Sequence, residues 1–271
     1  MRETAMNEKQ TMERRVPAAS ERARLKEGVH IEYSPRRVRA FFDNQVIADS
    51  QRVLLVYETT RPPMYWFPTA DVRMDLLVAK ADAAGVSSGT VHWRSNTEGK
   101  MVDNLAWSYA EPTGILAPLT DHVAFYWSAI DAWYEEDEEV FVHPRDPYTR
   151  VDTVHSSRHV RVVVDGATVA ETSRPVLLFE TGLPTRYYIP KLDVRMDLLE
   201  PTDTVTHCPY KGDANYWNLR VGDKSYKDFV WVYRRPIPEI PKIENLVCFY
   251  NEKVDLYVDE ELQERPISPF S

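Results

Sequence analysis

Asp71-Val72-Arg73-Met74-Asp75-Leu76-Leu77 recurs letter for letter as Asp193-Val194-Arg195-Met196-Asp197-Leu198-Leu199, each residue displaced by 122 positions. Working outward, Val38-Arg39-Ala40-Phe41-Phe42-Asp43 lies over Val160-Arg161-Val162-Val163-Val164-Asp165 at that same offset. Between these blocks Glu58-Thr59, Pro62 and Tyr65 fall on Glu180-Thr181, Pro184 and Tyr187 without a gap. After a short length change the register returns 124 positions apart, with Trp107-Ser108-Tyr109 over Trp231-Val232-Tyr233 and Phe125-Tyr126 over Phe249-Tyr250. Such self-similarity marks an internal duplication of a unit of roughly 110 residues. The expected organisation is a charged arm over residues 1–30, a first copy over 31–147 and a second over 148–271. Pro144, Pro147 and the polar stretch Thr149 to Ser157 read as the linker.

Each copy reads as strands and turns. Val160 to Val164 and Thr168 to Thr172 flank Asp165-Gly166, a dipeptide suited to the left-handed dihedrals of a type I′ hairpin, and Asp43-Asn44 takes that place in the first copy. Further β-rich runs are Val176 to Glu180, Tyr187 to Ile189, Val205 to Cys208, Tyr216 to Val221, Phe229 to Tyr233, Leu246 to Tyr250 and Val254 to Val258, with Gly222-Asp223 as another turn. Short strands punctuated by Gly, Pro and Asp predict an all-β fold, a barrel or folded sheet, in each copy. Helix is expected only as a turn or two over Ser20 to Lys26.

The net charge of −9 opposes a phosphate backbone. The basic clusters Arg14-Arg15, Arg22 to Lys26 and Arg36-Arg37-Arg39 read as a solvated arm, so no nucleic-acid partner is expected. The opening stretch has no apolar run, which predicts neither a secretory signal nor a membrane span. Two cysteines, Cys208 and Cys248, cannot form a disulfide framework, and the expected setting is the cytoplasm.

The strings Phe179-Glu180-Thr181-Gly182-Leu183-Pro184-Thr185-Arg186-Tyr187-Tyr188-Ile189-Pro190, Cys208-Pro209-Tyr210-Lys211-Gly212, Trp231-Val232-Tyr233 and Phe249-Tyr250-Asn251 carry a resemblance. The chain resembles, in tandem form, the domain-of-unknown-function 427 family, also labelled a nucleotidyltransferase domain. The resemblance covers nearly everything after residue 30 and implies a small all-β domain of the β-tent kind. It implies no particular reaction. A Gly-rich phosphate loop is absent from the sequence, as are the paired Cys-x-x-Cys knuckles with which β-tent relatives hold zinc, so neither metal nor cofactor is expected.

Polar groups that only one copy carries are the candidates for a site. On a strand, Asp193, Arg195 and Asp197 would share a face and satisfy one another as an ion-pair ladder, with an anion clamp through Arg195 as the alternative. If that block is a turn, the face assignment lapses. His207-Cys208-Pro209-Tyr210-Lys211-Gly212 is set against His92-Trp93-Arg94-Ser95-Asn96 of the first copy. A thiol between histidine and lysine is a potential nucleophile, whereas the bland reading is a tight turn with a buried thiol. Glu180, Arg186, Tyr188, Tyr210, Trp217 and Trp231 mix rings with charge, as a pocket for a polar, planar small molecule would, and as an ordinary β core also would. Tyr65, Trp66, Trp93, Trp107 and His92 offer the first copy an altered pocket. The acidic run Glu135 to Glu139 reads as a solvated edge or turn, and His143 and His155 as exposed residues.

The leading expectation is therefore a small-molecule pocket in the second copy, with His207, Cys208 and Lys211 as the candidate chemical groups and His207 as proton carrier. Its rivals are a non-enzymatic interaction platform and a nucleotide-using transferase. Two similar units in one chain often stand in for a symmetric homodimer, so a monomer with an internal pseudo-twofold is predicted. Size-exclusion chromatography with light scattering should return about the chain mass of 31.5 kDa, and a compact dimer would contradict this.

Overall fold

The hairpin dipeptides set the first turns. Asp43 and Asn44 (φ 50° and 59°) and Asp165 and Gly166 (φ 50° and 78°) all take left-handed dihedrals, which match the right-handed twist of the strands that they join. In this computed structural model residues 28–58, 61–80 and 89–271 are described. Arg14-Arg15, the Arg22 to Lys26 cluster, the helical turns expected over Ser20 to Lys26, and Thr59 lie outside the described residues. The chain divides into two compact units, Met1–Asp146 and Pro147–Ser271.

Among the described residues the first unit has strands β1 (Val29–Tyr33), β2 (Val38–Phe42), β3 (Gln45–Ser50), β4 (Leu54–Glu58), β5 (Arg61–Pro68), β6 (Leu77–Ala79), β7 (Thr90–Ser95), β8 (Ala106–Tyr109), β9 (His122–Phe125), β10 (Ala132–Glu135) and β11 (Glu138–Glu139). The second unit continues with β12 (Val151–His155), β13 (Val160–Val164), β14 (Ala167–Thr172), β15 (Val176–Glu180), β16 (Arg186–Ile189), β17 (Leu199–Cys208), β18 (Gly212–Val221), β19 (Lys224–Pro236), β20 (Val247–Phe249), β21 (Asp255–Val258) and β22 (Glu261–Leu262). The fold is all-β. A seven-stranded sheet runs β1-β4-β5-β9-β8-β7-β6 and a four-stranded sheet β11-β10-β2-β3, and the second unit repeats both orders strand for strand. β1 begins inside the expected arm, with His30 opposite Tyr57, and β12 lies within the expected linker.

Alternation along the strands divides the side chains into two layers. In the first unit Val38, Ala40, Phe42 and Ile47 of the smaller sheet pack on Tyr65, Phe67 and Phe125 of the larger one. Leu54, Val56, Trp66 and Ala124 point to the larger sheet's other face. The same division puts Trp217 and Phe249 in the second unit's inter-sheet core, with Tyr188, Trp231 and Cys248 on the opposite side.

The duplicated heptapeptide is a corner, not a strand. Short 3₁₀ turns occupy Met74–Leu76 and Met196–Leu198, so the face assignment for Asp193, Arg195 and Asp197 does not hold. Arg195 pairs with Asp197 at 2.6 Å, while Asp193 turns away to accept from Thr172 Oγ1 (2.7 Å) and Arg174 Nε (3.1 Å). The first copy repeats this with Asp71, Ser50 and Arg52. The backbone of the corner reaches the smaller sheet: Arg73 N–H donates to Ile47 C=O (2.8 Å) and Arg195 N–H to Val169 C=O (2.9 Å). Val72 bridges Ala48, and Val194 bridges Ala170.

Hydrogen bonding from Arg174, opposed by partial burial and reinforced by Thr172, holds the Asp193 carboxyl below its ordinary range. A carboxyl with a lowered folded-state pKa stabilises the fold above its unfolded pKa near 4 and loses that contribution as pH falls through the folded value. Asp193→Ala should cost about 1–2 kcal/mol in urea unfolding at neutral pH. Asp197→Ala, which removes an exposed pair, should leave the urea midpoint close to that of the parent.

Candidate functional site

β5 overruns its neighbour. It pairs with β9 from Trp66 to Pro68, and that register sets Tyr65 against Phe125, the last residue of β9, so Pro62 to Met64 continue beyond the end of β9. Pro62 and Pro63 have no N–H to offer a further ladder. The sheet splits there around a cavity of about 530 Å³, within the usual size of small-molecule sites. Met64 and Tyr65 of β5, His92 of β7 and Trp107 of β8 line it. Tyr126 and Trp127 follow β9, Trp133 comes from β10, and Val142 to Pro144 border the rim.

The walls are rings held by other rings. Trp127 stacks on Trp133 with centroids 4.7 Å apart and planes at 7°, and Trp133 Nε1 donates to the Trp127 carbonyl at 3.2 Å. Tyr65 lies 5.7 Å from Trp133. This leaves flat, preorganised π-faces suited to stacking a planar body.

The polar groups are few. Tyr65 donates its hydroxyl to the Glu135 carboxylate, which also receives Arg36. Glu135 is buried, which corrects the expectation of a fully solvated acidic run: alternation in β10 puts Glu135 on the inward face with Trp133, while Glu136 to Glu139 stay exposed. Burial, then the charge of Glu135, pushes the Tyr65 phenol far above its ordinary range, so it stays protonated. His92 places Nδ1 3.2 Å from the Tyr126 hydroxyl and Nε2 3.4 Å from Thr90 Oγ1. His143, expected in the open, is half-buried at the rim because the chain after β11 folds back over the cavity.

Strand pairing also corrects the correspondence between copies. His92 faces Trp107 as Tyr216 faces Trp231, so Tyr216, not His207, is the counterpart of His92. Trp231 then matches Trp107, Tyr250 matches Tyr126, and in the gapless block Arg186 matches Met64. At the matching place in the second copy two charged side chains of the chain meet one another. Arg186 makes a two-pronged ion pair with Glu252, both bonds 2.7 Å, and the side chains are 7% and 0% exposed. Its guanidinium lies 5.6 Å from the Trp231 ring, 6.0 Å from Tyr250 and 5.6 Å from Phe270. Ser268 donates to Glu252, fixing the C-terminal segment over the pair.

The other candidates from the sequence divide into three groups. Tyr188 is buried beneath Arg186 and accepts from Trp231 Nε1 at 3.3 Å, and burial raises its phenol strongly. Lys211 donates to Glu180, the two being 12% and 9% exposed. The Cys208 to Gly212 turn presents this lysine, with Tyr210 half-buried in it. Gly212 has φ +95°, and an added Cβ would stand 3.1 Å from the Arg235 carbonyl, so the glycine is required. Trp217 is the clear departure: one residue on from Tyr216, it points to the opposite face and joins the inter-sheet core, where a ligand beside Arg186 cannot touch it. His207 is 53% exposed on β17 and pairs with Asp213 at 2.6 Å, away from the buried pairs. Cys208 is half-buried and Cys248 fully buried, both as free thiols; burial raises Cys248 to about 12, which leaves it unreactive.

Trp66 and Trp93, candidates for the first copy, are not among the lining residues, whereas Tyr126, Trp127 and Trp133 are. Met64 opposite Arg186 in the ungapped repeat was the available signal. Among the described residues, no group of three or more His, Cys, Asp or Glu side chains could hold a metal ion. No helix among them is long and apolar enough to cross a membrane.

A family model described as domain of unknown function 427 matches residues 30–136 and again 152–260. No curated protein matches the chain.

Breaking a buried ion pair from one side strands a charge. Glu252→Ala should therefore cost about 3–5 kcal/mol in chemical unfolding. The double variant Arg186→Met with Glu252→Ser, which copies the first unit, should lose less than either single variant.

Proposed function

The chain belongs to the domain-of-unknown-function 427 family, present twice in tandem, and we propose that it is a small-molecule-binding protein whose site is the aromatic cavity of the first copy. The observation that carries this reading is a cavity of about 530 Å³ with rigid ring walls and a small set of polar points. In the second copy Arg186 pairs with Glu252, Lys211 with Glu180 and Trp231 with Tyr188, which supports reading these residues as self-complementary packing instead of a ligand site. His92 and, at the rim, His143 are the side chains of the first cavity suited to moving a proton, in place of His207.

A nucleoside triphosphate fits this lining poorly. Four negative charges require cationic side chains or a metal, and the described lining residues include neither Lys nor Arg.

Thermal-shift screening with a library of planar metabolites tests the reading, since a ligand at a hundredfold its Kd adds about 2.7 kcal/mol to stability. Hits should persist in Lys211→Ala and disappear in Met64→Trp, which fills the first cavity. Hits with the opposite dependence would move the site to the second copy, and a library without hits would contradict the reading.

A further inference from the structure

The two copies build the same aromatic corner and fill it differently. In the second copy Trp231 and Tyr250, with Phe270 across from them, enclose the guanidinium of Arg186, a planar cation supplied by the chain itself. In the first copy Trp107 and Tyr126 stand at the matching positions, Met64 replaces Arg186, and all three line the cavity. Trp127, which falls at the position of Asn251, adds a ring face that the second copy lacks. The first corner thus keeps two of the three rings that stand round the guanidinium, Trp107 and Tyr126, carries Ser128 where Glu252 pairs with it, and has lost the cation.

We propose that the first-copy cavity binds a small molecule bearing a planar amidinium or guanidinium group, seated where Arg186 sits in the second copy. This rests on the reading of that cavity as a ligand site. The negative faces of Trp107, Tyr126 and Trp127 attract a cation, and desolvation in a walled site strengthens that attraction. The hydrogen-bonding capacity agrees in sense. Tyr65 has committed its proton to Glu135, so its oxygen can only accept, and a ligand that meets it must donate. A guanidinium or amidinium is a donor throughout. The overall charge of −9 favours the approach of a cation and opposes that of an anion.

The test is isothermal titration of the full chain with benzamidine, benzamide and benzoate, three molecules of nearly one shape carrying positive, zero and negative charge. Benzamidine should bind at one site per chain, at least tenfold more tightly than benzamide, with benzoate weakest. Met64→Arg combined with Ser128→Glu, which recreates the second copy's pair, should abolish benzamidine binding. If that variant does not fold, Trp107→Leu should narrow the benzamidine-to-benzamide ratio, a change that simple loss of packing would not give. Equal or tighter binding of benzamide or benzoate overturns the assignment of ligand charge while leaving a binding cavity in place. No binding by any of the three, together with a planar library that yields no hits, overturns both.

Discussion

The corner at Asp71 to Leu77, and its twin at Asp193 to Leu199, is the constraint on which each unit depends. Its backbone bonds from Arg73 to Ile47 and from Arg195 to Val169 tie the large sheet to the small one at a fixed point. An aspartate in each corner closes the junction through Ser50 and Arg52 or through Thr172 and Arg174. Once that junction is set, strand alternation decides which residues meet between the sheets and which face away, and it does so identically in both copies. Identity of seven letters at this place follows from geometry: a 3₁₀ corner that both bonds a neighbouring strand and projects two paired aspartates tolerates little change.

With the frame held constant, the copies diverge where the frame is open. The large sheet splits beyond the end of β9 and of β20, and the split must be filled by side chains or left as a cavity. In the second unit it is filled by a buried, doubly hydrogen-bonded ion pair under a folded-back C-terminal segment. In the first unit a methionine replaces the arginine, and a different carboxylate, Glu135, reaches in from β10 to hold Tyr65. Val258 occupies the position of Glu135 in the second unit, as the pairing of Tyr134 with Arg39 and of Tyr257 with Arg161 establishes. Glu135 of the first copy and Glu252 of the second are buried acids on different elements, so a single substitution does not convert one copy into the other.

Much of this was legible from letters alone. The duplication, the all-β character and the Asp43-Asn44 and Asp165-Gly166 hairpins all follow from offset and turn chemistry. Three particulars were not. The heptapeptide alternates apolar and charged residues as a strand would, yet its local 3₁₀ turns are fixed by bonds to a strand more than twenty positions away. His92 and His207 share a letter, but register is a property of pairing, and pairing puts Tyr216 where His92 stands. Glu252, which neutralises Arg186, and Phe270, whose ring lies 5.6 Å from its guanidinium, are distant in sequence, so composition near Arg186 does not reveal the partners that the chain itself supplies there. Glu135 and Trp217 were recoverable, since each lies on a strand whose alternation assigns its face.

The two corners can be read separately in solution. Nuclear magnetic resonance of protein carrying a ¹³C-labelled Met64 methyl group reads the first corner, and the Arg186 Nε–H resonance reads the second. Titration with benzamidine should move the Met64 methyl saturably under the ring currents of a bound aromatic while Arg186 stays in place. A Met64 methyl that does not respond, or an Arg186 signal that shifts in its stead, would contradict an open first corner and a self-filled second one.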